Sequence, residues 1–441
     1  MKESIILRNI HEKLGIAELN DMQKAMLGKT SKSNIMLLSP TGTGKTLAYL
    51  IYLLKNIKES TGRVQAVILS PSRELAIQIS SVISAIATEH KVTCCYGGHN
   101  FEDEANSLKA TPDIIVSTPG RLLDHIKRDN IYLQPVRMLF LDEFDKSLEL
   151  GFQEEMEKII KRMSNISKQV LTSATILEDF PAFINTTDIE SVNFLYQNTV
   201  EQRLNVYNVK SDLKDKLEAL LCLISNLNEG KMIIFANHRE SAMRIHTFLQ
   251  KQKLPVGIYH GGLDQMEREK AIYMFANDTF QILVTTDLGS RGLDIDNIKH
   301  IVHYHIPLQK ETYTHRNGRS ARIDKTGSIY IITGPEEKIP EFVKFDKDFP
   351  LDKGAKCPYH KTMETLYFSG GKKEKISKKD ILGFIVSKAE IEAKLVGKIN
   401  VADHYSLVAV PFSQVHSILN KLTGQKIKNQ KLKIAITKQK I

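Results

Sequence analysis

Ser39-Pro40-Thr41-Gly42-Thr43-Gly44-Lys45-Thr46 follows the apolar run Ile35 to Leu38 and precedes a helical pattern that starts near Lys45. A strand, a glycine-rich loop and then a helix form the geometry that cradles phosphate. Gly42 and Gly44 let backbone N–H groups turn inward, and Ser39, Thr41 and Thr43 complete the nucleotide-binding loop. Lys45 is placed to neutralise β- and γ-phosphate oxygens, and the Thr46 hydroxyl to ligate magnesium. Ser39 replaces the first glycine of the usual GxxxxGK pattern, so the strand before the loop and the helix after it carry much of the assignment.

Outward from this loop, short β-rich apolar runs alternate with helical patterns from residue 30 to about 340. They are Val64 to Ser70, Ile114 to Thr118, Met138 to Asp142 and Val170 to Ser173, then Met232 to Phe235, Ile282 to Thr286 and Ile301 to His305. Alternation of this kind predicts parallel sheets flanked by helices. Periodicity lapses between Asn193 and Asp212, before a helix expected over Asp215 to Leu227, and that lapse divides the run into two α/β domains. A second break, Phe345 to Lys361, contains Pro350, Gly354 and Pro358. Beyond it the order changes to strand Thr365 to Phe368, helix Ser377 to Ser387, strands Gly397 to Val401 and Ser406 to Val410, helix Phe412 to Leu422 and strand Lys431 to Thr437. Ser377 with Asp380 offers a helix-start cap, and Gly424 a stop. The order βαββαβ fits the α+β sandwich of RNA-recognition motifs, RRM-like in class. The expected domains are 1–205, 206–348 and 362–441, with 349–361 as a linker.

At 441 residues the chain is too long for one core. Apolar residues at 42% and charged residues at 25% match an ordinary globular protein, and no uninterrupted apolar stretch approaches the roughly 18 residues that cross a bilayer. The short apolar run at the N-terminus ends at Arg8, so the expectation is a cytoplasmic protein without a membrane partner. Four cysteines, at 94, 95, 222 and 357, show no CxxC spacing and are expected to be reduced, without zinc. The net charge is +10, and residues 351–441 alone hold 18 Lys and no Arg against 7 Asp plus Glu, leaving about −1 for the first 350. That asymmetry points to a polyanion-binding appendage on a near-neutral engine, with a solvated lysine-rich tail as the alternative.

Asp142-Glu143 ends the run Met138 to Leu141, and open α/β sheets place ligands at the carboxyl ends of their strands. There Asp142 can hold magnesium while Glu143 orients an attacking water; taken alone, such a pair is equally a solvated turn. Arg316, Arg319 and Arg322 lie in His315-Arg316-Asn317-Gly318-Arg319-Ser320-Ala321-Arg322. Arginines supplied to a γ-phosphate stabilise transition-state charge, and the alternative is a basic surface turn.

In order, the chain reads Gln23, SPTGTGKT (39–46), PSRELA (71–76), GG (97–98), TPGR (118–121), DEFD (142–145), SAT (173–175), IIFAN (233–237), TTDLGSRGLD (285–294) and HRNGRSAR (315–322). This resembles the DEAD-box RNA helicases over residues 1 to about 345. Gly370-Gly371-Lys372-Lys373, Lys379-Asp380-Ile381-Leu382-Gly383 and Gly397-Lys398-Ile399 look like the RNA-binding domain of the DbpA subgroup. The resemblance implies two tandem RecA-like domains and an RNA-stimulated ATPase using ATP and Mg2+. It implies that Gln23 reads the adenine edge and Asp294 the ribose, that Lys45, Asp142, Glu143, Arg319 and Arg322 serve catalysis, and that Thr46 and Asp142 serve the metal. Pro71, Arg73, Gly98, Thr118, Arg121, Gln265, Arg268 and Thr285 would line the RNA backbone, joined by Lys372, Lys373 and Tyr367 in the C-terminal domain. Ser173, Thr175 and His315 would couple hydrolysis to closure. Such loops donate to phosphates and 2′-hydroxyls without reading bases.

The resemblance further implies local unwinding of RNA by a monomer, with large-subunit ribosomal RNA and pre-ribosomal particles as partners. Departures from the pattern are Phe144 for the Ala of DEAD, Gly15-Ile16 and Leu19 for Gly-Phe and Pro near Gln23, and Asn317 and Ala321 where Ile and Gly are common. Phe144 and the altered adenine region motivate a second reading, a non-catalytic RNA clamp; a DNA helicase is a third, separated by 2′-hydroxyl contacts. The second aromatic signature of the C-terminal domain, Asp403 to Val410, offers only Tyr405. Base stacking and binding through lysines both remain open there.

Overall fold

The computed structural model describes all residues except 30–33, 41, 99, 178, 196–203, 291–294, 296–297, 320–326 and 440–441. The expected site residues Thr41, Asp294 and Arg322 lie outside the described residues.

The first domain is a parallel sheet of β1 (Asn34–Leu38), β2 (Ala66–Leu69), β3 (Val92–Cys95), β4 (Ile114–Ser117), β5 (Met138–Leu141), β6 (Lys168–Ser173) and β7 (Ile189–Asn193), in the order β3-β4-β2-β5-β6-β1-β7. Strands β1, β2, β4 and β5 are buried along their whole length, which is why they read as apolar runs. Helices α1 (Glu3–Leu14), α2 (Asp21–Gly28), α3 (Lys45–Asn56) and α4 (Arg73–Ile86) precede α5 (Phe101–Lys109), α6 (Pro119–Lys127), α7 (Phe144–Glu149) and α8 (Gln153–Ile160). Side chains of α1 to α4 close one core with Ile35, Leu37, Ile68 and Phe140, and those of α6 and α8 close the other with Leu69, Leu139 and Leu171.

The second domain repeats the plan. Strands β8 (Leu204–Lys210), β9 (Lys231–Phe235), β10 (Val256–Tyr259), β11 (Ile282–Thr285), β12 (Ile298–His303), β13 (Gly327–Thr333) and β14 (Lys347–Asp348) order as β10-β11-β9-β12-β13-β8-β14. Helices α9 (Leu217–Asn226), α10 (Arg239–Lys251), α11 (Gln265–Ala276) and α12 (Lys310–Asn317) flank it. Strand β8 falls inside the stretch where periodicity lapsed: Asn205, Asn208 and the half-buried Tyr207 interrupt its apolar pattern, although all seven residues pair with β13. The loop after β8 delivers Lys216, whose buried ammonium donates to Ile332 O at 2.9 Å and to the Glu337 carboxylate at 2.9 and 3.2 Å. The expected linker lies along this domain, because Phe349 N donates to Asn208 O and the Tyr359 hydroxyl donates to Gly230 O.

The C-terminal domain comprises β15 (Met363–Phe368), α13 (Lys378–Ala389), β16 (Ile399–Val401), β17 (Ser406–Pro411), α14 (Val415–Leu422), β18 (Lys426–Ile427), β19 (Gln430–Lys431) and β20 (Ile434–Ile436). Its antiparallel sheet orders as β16-β17-β15-β20. The Ser377 and Asp380 capping box forms as expected, and Gly424 adopts φ +80° two residues past α14. Two boundaries move. Residues Phe412–Gln414 make a 3₁₀ turn before α14. The expected strand Lys431 to Thr437 divides, because Lys428 and Asn429, both at positive φ, turn β18 back on β19 before β20 begins.

Candidate functional site

The phosphate loop is built by register. β1 pairs with β6 so that Leu38 lies opposite Ser173, and Ser39 N then donates to Ser173 O. Gly44 caps α3 at φ +91°, where a Cβ would lie 2.6 Å from Gln23 Nε2, so only glycine fits. Ser39 Oγ and Thr43 Oγ1 hydrogen-bond at 2.6 Å, and Thr43 Oγ1 donates to Pro40 O. Lys45 Nζ folds back on the Ser39 and Pro40 carbonyls. Gln23 touches the loop itself: its amide accepts from Asn20 N in a capping box and donates to Gly44 O, while Asn20 Nδ2 donates to Thr43 O.

Asp142 and Glu143 sit at the end of β5, one strand from β1 across β6. Asp142 is 2% exposed. Its Oδ1 accepts from Thr172 Oγ1 at 2.5 Å and from Glu143 N at 3.1 Å, and its Oδ2 from the Tyr49 hydroxyl at 3.1 Å. Burial raises its pKa, opposed by the Thr172 hydrogen bond, the Lys45 charge and the Tyr49 hydrogen bond. Glu143 stands at φ +44°, a left-handed position that turns its side chain out of the strand line. A carboxylate and the Thr46 hydroxyl are hard oxygen donors, the set that suits Mg2+. Phe144 goes into the core with Leu122, Leu139 and Met156, and Thr175 Oγ1 donates to Asp145 Oδ2 at 3.2 Å. The DEFD-to-SAT contact is therefore made despite the bulky ring, which removes one premise of the clamp reading.

The RNA-facing candidates of the first domain gather at the carboxyl ends of β2, β3 and β4. Pro71 and Arg73 follow β2, Gly97-Gly98 follow β3, and Thr118 caps α6 after β4. The Arg73 guanidinium lies over Gly97, whose added Cβ would come within 3.2 Å of it, and Gly98 needs φ +100°. Arg121 Nε donates to Glu104 Oε2 at 2.5 Å; the same carboxyl meets His125 Nε2 at 2.7 Å and accepts from Tyr96 N at 2.8 Å. Phe101 stacks on His125 with centroids 4.3 Å apart and lies under the Arg121 guanidinium. Cys95, Glu104 and His125 each offer a ligand atom within 4.8 Å of the others, yet the Glu104 carboxyl already meets a guanidinium, an imidazole and an amide. It is a polar brace behind Arg121. Glu104→Gln is expected to raise the RNA concentration for half-maximal ATPase stimulation about tenfold and to leave nucleotide affinity unchanged, since a buried charge-assisted bond is lost. An unchanged RNA requirement would count against the brace.

In the second domain Gln265 and Arg268 lie in the first turn of α11, capped by Asp264, and Arg268 Nε donates to Leu263 O. Thr285 ends β11 and its hydroxyl donates to Tyr259 O and Thr286 O. Arg316 is fully buried: it donates to Asp287 Oδ1 at 2.6 Å, His305 O at 2.9 Å and Asn237 Oδ1 at 2.9 Å, above the Phe235 ring. This arginine organises the domain rather than reaching outward. His315 and Arg319 are also buried, and Asn317 Oδ1 meets His303 Nε2 at 2.8 Å, beside which burial pushes the His303 pKa down to about 3.

The C-terminal sheet docks on α11. Tyr273 donates to Leu407 O, Asn277 Nδ2 to Thr365 Oγ1 at 3.0 Å, and Tyr405 to Glu269 Oε2 at 3.1 Å. Tyr367, expected to stack a base, is half-buried and stacks on Tyr405 at 6.0 Å. Lys372 and Lys373 are exposed, on a Gly370–Lys373 turn strapped to residues 402–403; a Cβ on Gly371 would lie 2.1 Å from Ala402 O. Sequence reasoning missed Tyr49, Thr172, Glu104, Asp287 and Glu269. Tyr49 had a signal in its place one helical turn beyond Lys45, and Asp287 in its place inside the TTDLGSRGLD block.

Residues 20–181 match the family described as DEAD/DEAH box helicase, residues 215–324 the helicase conserved C-terminal domain, and residues 365–436 the DbpA RNA binding domain. The chain is 29% identical to the ATP-dependent RNA helicase DbpA of Escherichia coli over 98% of this chain and 97% of that protein. It is 32% identical to the DEAD-box ATP-dependent RNA helicase RhpA of Helicobacter pylori over 79% of this chain and 71% of that protein. The structure of Mss116 bound to ssRNA and UDP-BeF superposes with a TM-score of 0.68 at 26% identity, covering 79% of this chain and 78% of that one. S. cerevisiae Dbp5 bound to RNA and ADP BeF3 gives 0.66 at 24% identity, over 75% and 88%, a likeness of fold.

Proposed function

Since the chain belongs to the DEAD-box ATP-dependent RNA helicases, we propose that it unwinds short, structured segments of RNA, with large-subunit ribosomal RNA in assembling ribosomes as its target. It is an RNA-stimulated ATPase. The observation that carries the proposed site is the buried Asp142 held beside a glycine-rich loop bearing Lys45, with Glu143 turned out of the strand by its left-handed backbone.

In the cycle we propose, Lys45 and the loop N–H groups hold the β- and γ-phosphates, Thr46 and Asp142 hold Mg2+, and Glu143 orients the attacking water. Magnesium supplies charge neutralisation on the phosphate oxygens. We assign Arg319 and Arg322 to the charge that develops on the γ-phosphate, and Ser173, Thr175 and His315 to coupling hydrolysis to strand release. Pro71, Arg73, Gly98, Thr118, Arg121, Gln265, Arg268 and Thr285 hold the sugar-phosphate chain, so the motor is indifferent to base sequence. The C-terminal domain anchors the enzyme through lysines, because the hydroxyl of Tyr405 is spent on Glu269 and Tyr367 stacks on that ring.

The test is steady-state ATP hydrolysis against a panel of ribosomal and unrelated RNA fragments. Stimulation by RNA, strongest for large-subunit fragments, is expected. Lys372→Gln with Lys373→Gln should raise the RNA concentration required and flatten its salt dependence by about 0.7 in log-log slope per lost contact. Substitution is a cleaner probe than truncation, because removing the domain would strip the partner from Tyr273 and Asn277 on the motor. Equal stimulation by every RNA would remove the ribosomal target, and no stimulation would remove the proposed cycle.

A further inference from the structure

Tyr49 lies four residues after Lys45 and three after Thr46 on α3, so the three side chains share one helix face. Its ring is fully buried in the core that holds Ile35, Leu37 and Phe140, with the Phe140 ring 5.6 Å away. A phenol gripped by a core keeps one orientation. Its hydroxyl donates to Asp142 Oδ2 at 3.1 Å, from a position one helical turn beyond Thr46. Oδ1 of Asp142 is held from the other side, by Thr172 on β6 and by Glu143 N. Among the described residues, Tyr49 is the donor that reaches this carboxylate from the helix carrying the phosphate loop.

We propose that the Tyr49 hydroxyl is a positioning group for the divalent cation: it spans from the loop helix to Asp142 and fixes the spacing of the Thr46 hydroxyl and the Asp142 carboxylate that the metal and its water shell must match. The proposal rests on the magnesium reading above. A carboxylate tethered on Oδ1 alone can rotate about its terminal torsion, which is soft for Asp. The second tether removes that freedom before the metal arrives. Geometry prepared in advance lowers the cost of binding an ion that demands a near-octahedral shell.

Tyr49→Phe deletes one oxygen and keeps the ring and the core. The measurement is the affinity of a fluorescent ATP analogue as Mg2+ is titrated from zero, with Asp142→Asn alongside and thermal melts of both variants as a check on folding. Tyr49→Phe is expected to bind the analogue normally without metal, to need about tenfold more Mg2+ for the half-maximal rise in affinity, and to recover turnover at saturating Mg2+. Asp142→Asn should lose the Mg2+ response. If Asp142→Asn loses it and Tyr49→Phe matches the parent protein, the positioning role is overturned while the magnesium reading stands. If Asp142→Asn retains the full response, the magnesium reading itself fails. Weakened binding of the analogue without metal would assign Tyr49 to the loop's general integrity and overturn the proposal as well.

Discussion

Replacing Glu143 with Gln is expected to cut RNA-stimulated ATP turnover by about a hundred- to ten-thousand-fold while the protein still binds ATP and RNA together. The amide keeps the shape of the side chain, and the left-handed backbone at φ +44° keeps its direction. Asp142 keeps its own partners in the variant, because it is bound by Thr172, Tyr49 and the Glu143 backbone N–H. What is lost is the capacity to take a proton from water. Single-turnover hydrolysis and nucleotide binding on the same preparation separate the two; turnover within tenfold of the parent protein would remove Glu143 from the chemistry.

Arg316→Ala is expected to destabilise the second domain by about 3 kcal/mol, the lower end of the range for removing one partner of a buried charge pair. The lower end applies because the Asp287 side chain is 41% exposed and rehydrates when the guanidinium leaves. The cost falls instead on His305 O and Asn237 Oδ1, which lose their donors, and on the void above Phe235. For a unit of this size the midpoint of thermal unfolding should fall by about 10 °C, measured by calorimetry on the full chain. A shift below about 3 °C would show that the side-chain cluster relaxes without strain.

Much of this was legible because parallel strands buried on both faces must be apolar throughout, and the phosphate loop announces itself between one such strand and a helix. Strand β8 was not legible, since Asn205 and Asn208 break its pattern and the pairing that shelters Asn208, through Thr333 and Asp348, lies more than 100 residues away in sequence. Glu104 was invisible for a related reason: a buried carboxyl declares its purpose only when its partner is known, and Tyr49 showed no more than its place one helical turn beyond Lys45. The docking of the C-terminal sheet was unreadable in another way. Tyr367 and Tyr405 are the residue types that a base-stacking face requires and equally those that a protein face accepts.

The two sheets share one strand plan, with β8 standing in the second where β1 stands in the first. After β1 comes a loop with two glycines in left-handed conformations; after β8 comes Ser211-Asp212-Leu213-Lys214-Asp215-Lys216, with none. Lys216, the counterpart in position of Lys45, has its ammonium neutralised by the chain's own Glu337. A carboxylate grown into the backbone order thus fills the role that a phosphate plays elsewhere, permanently and at no concentration cost. The duplicated strand order therefore carries one glycine-rich phosphate loop, after β1, while the corresponding loop after β8 is closed by an internal ion pair.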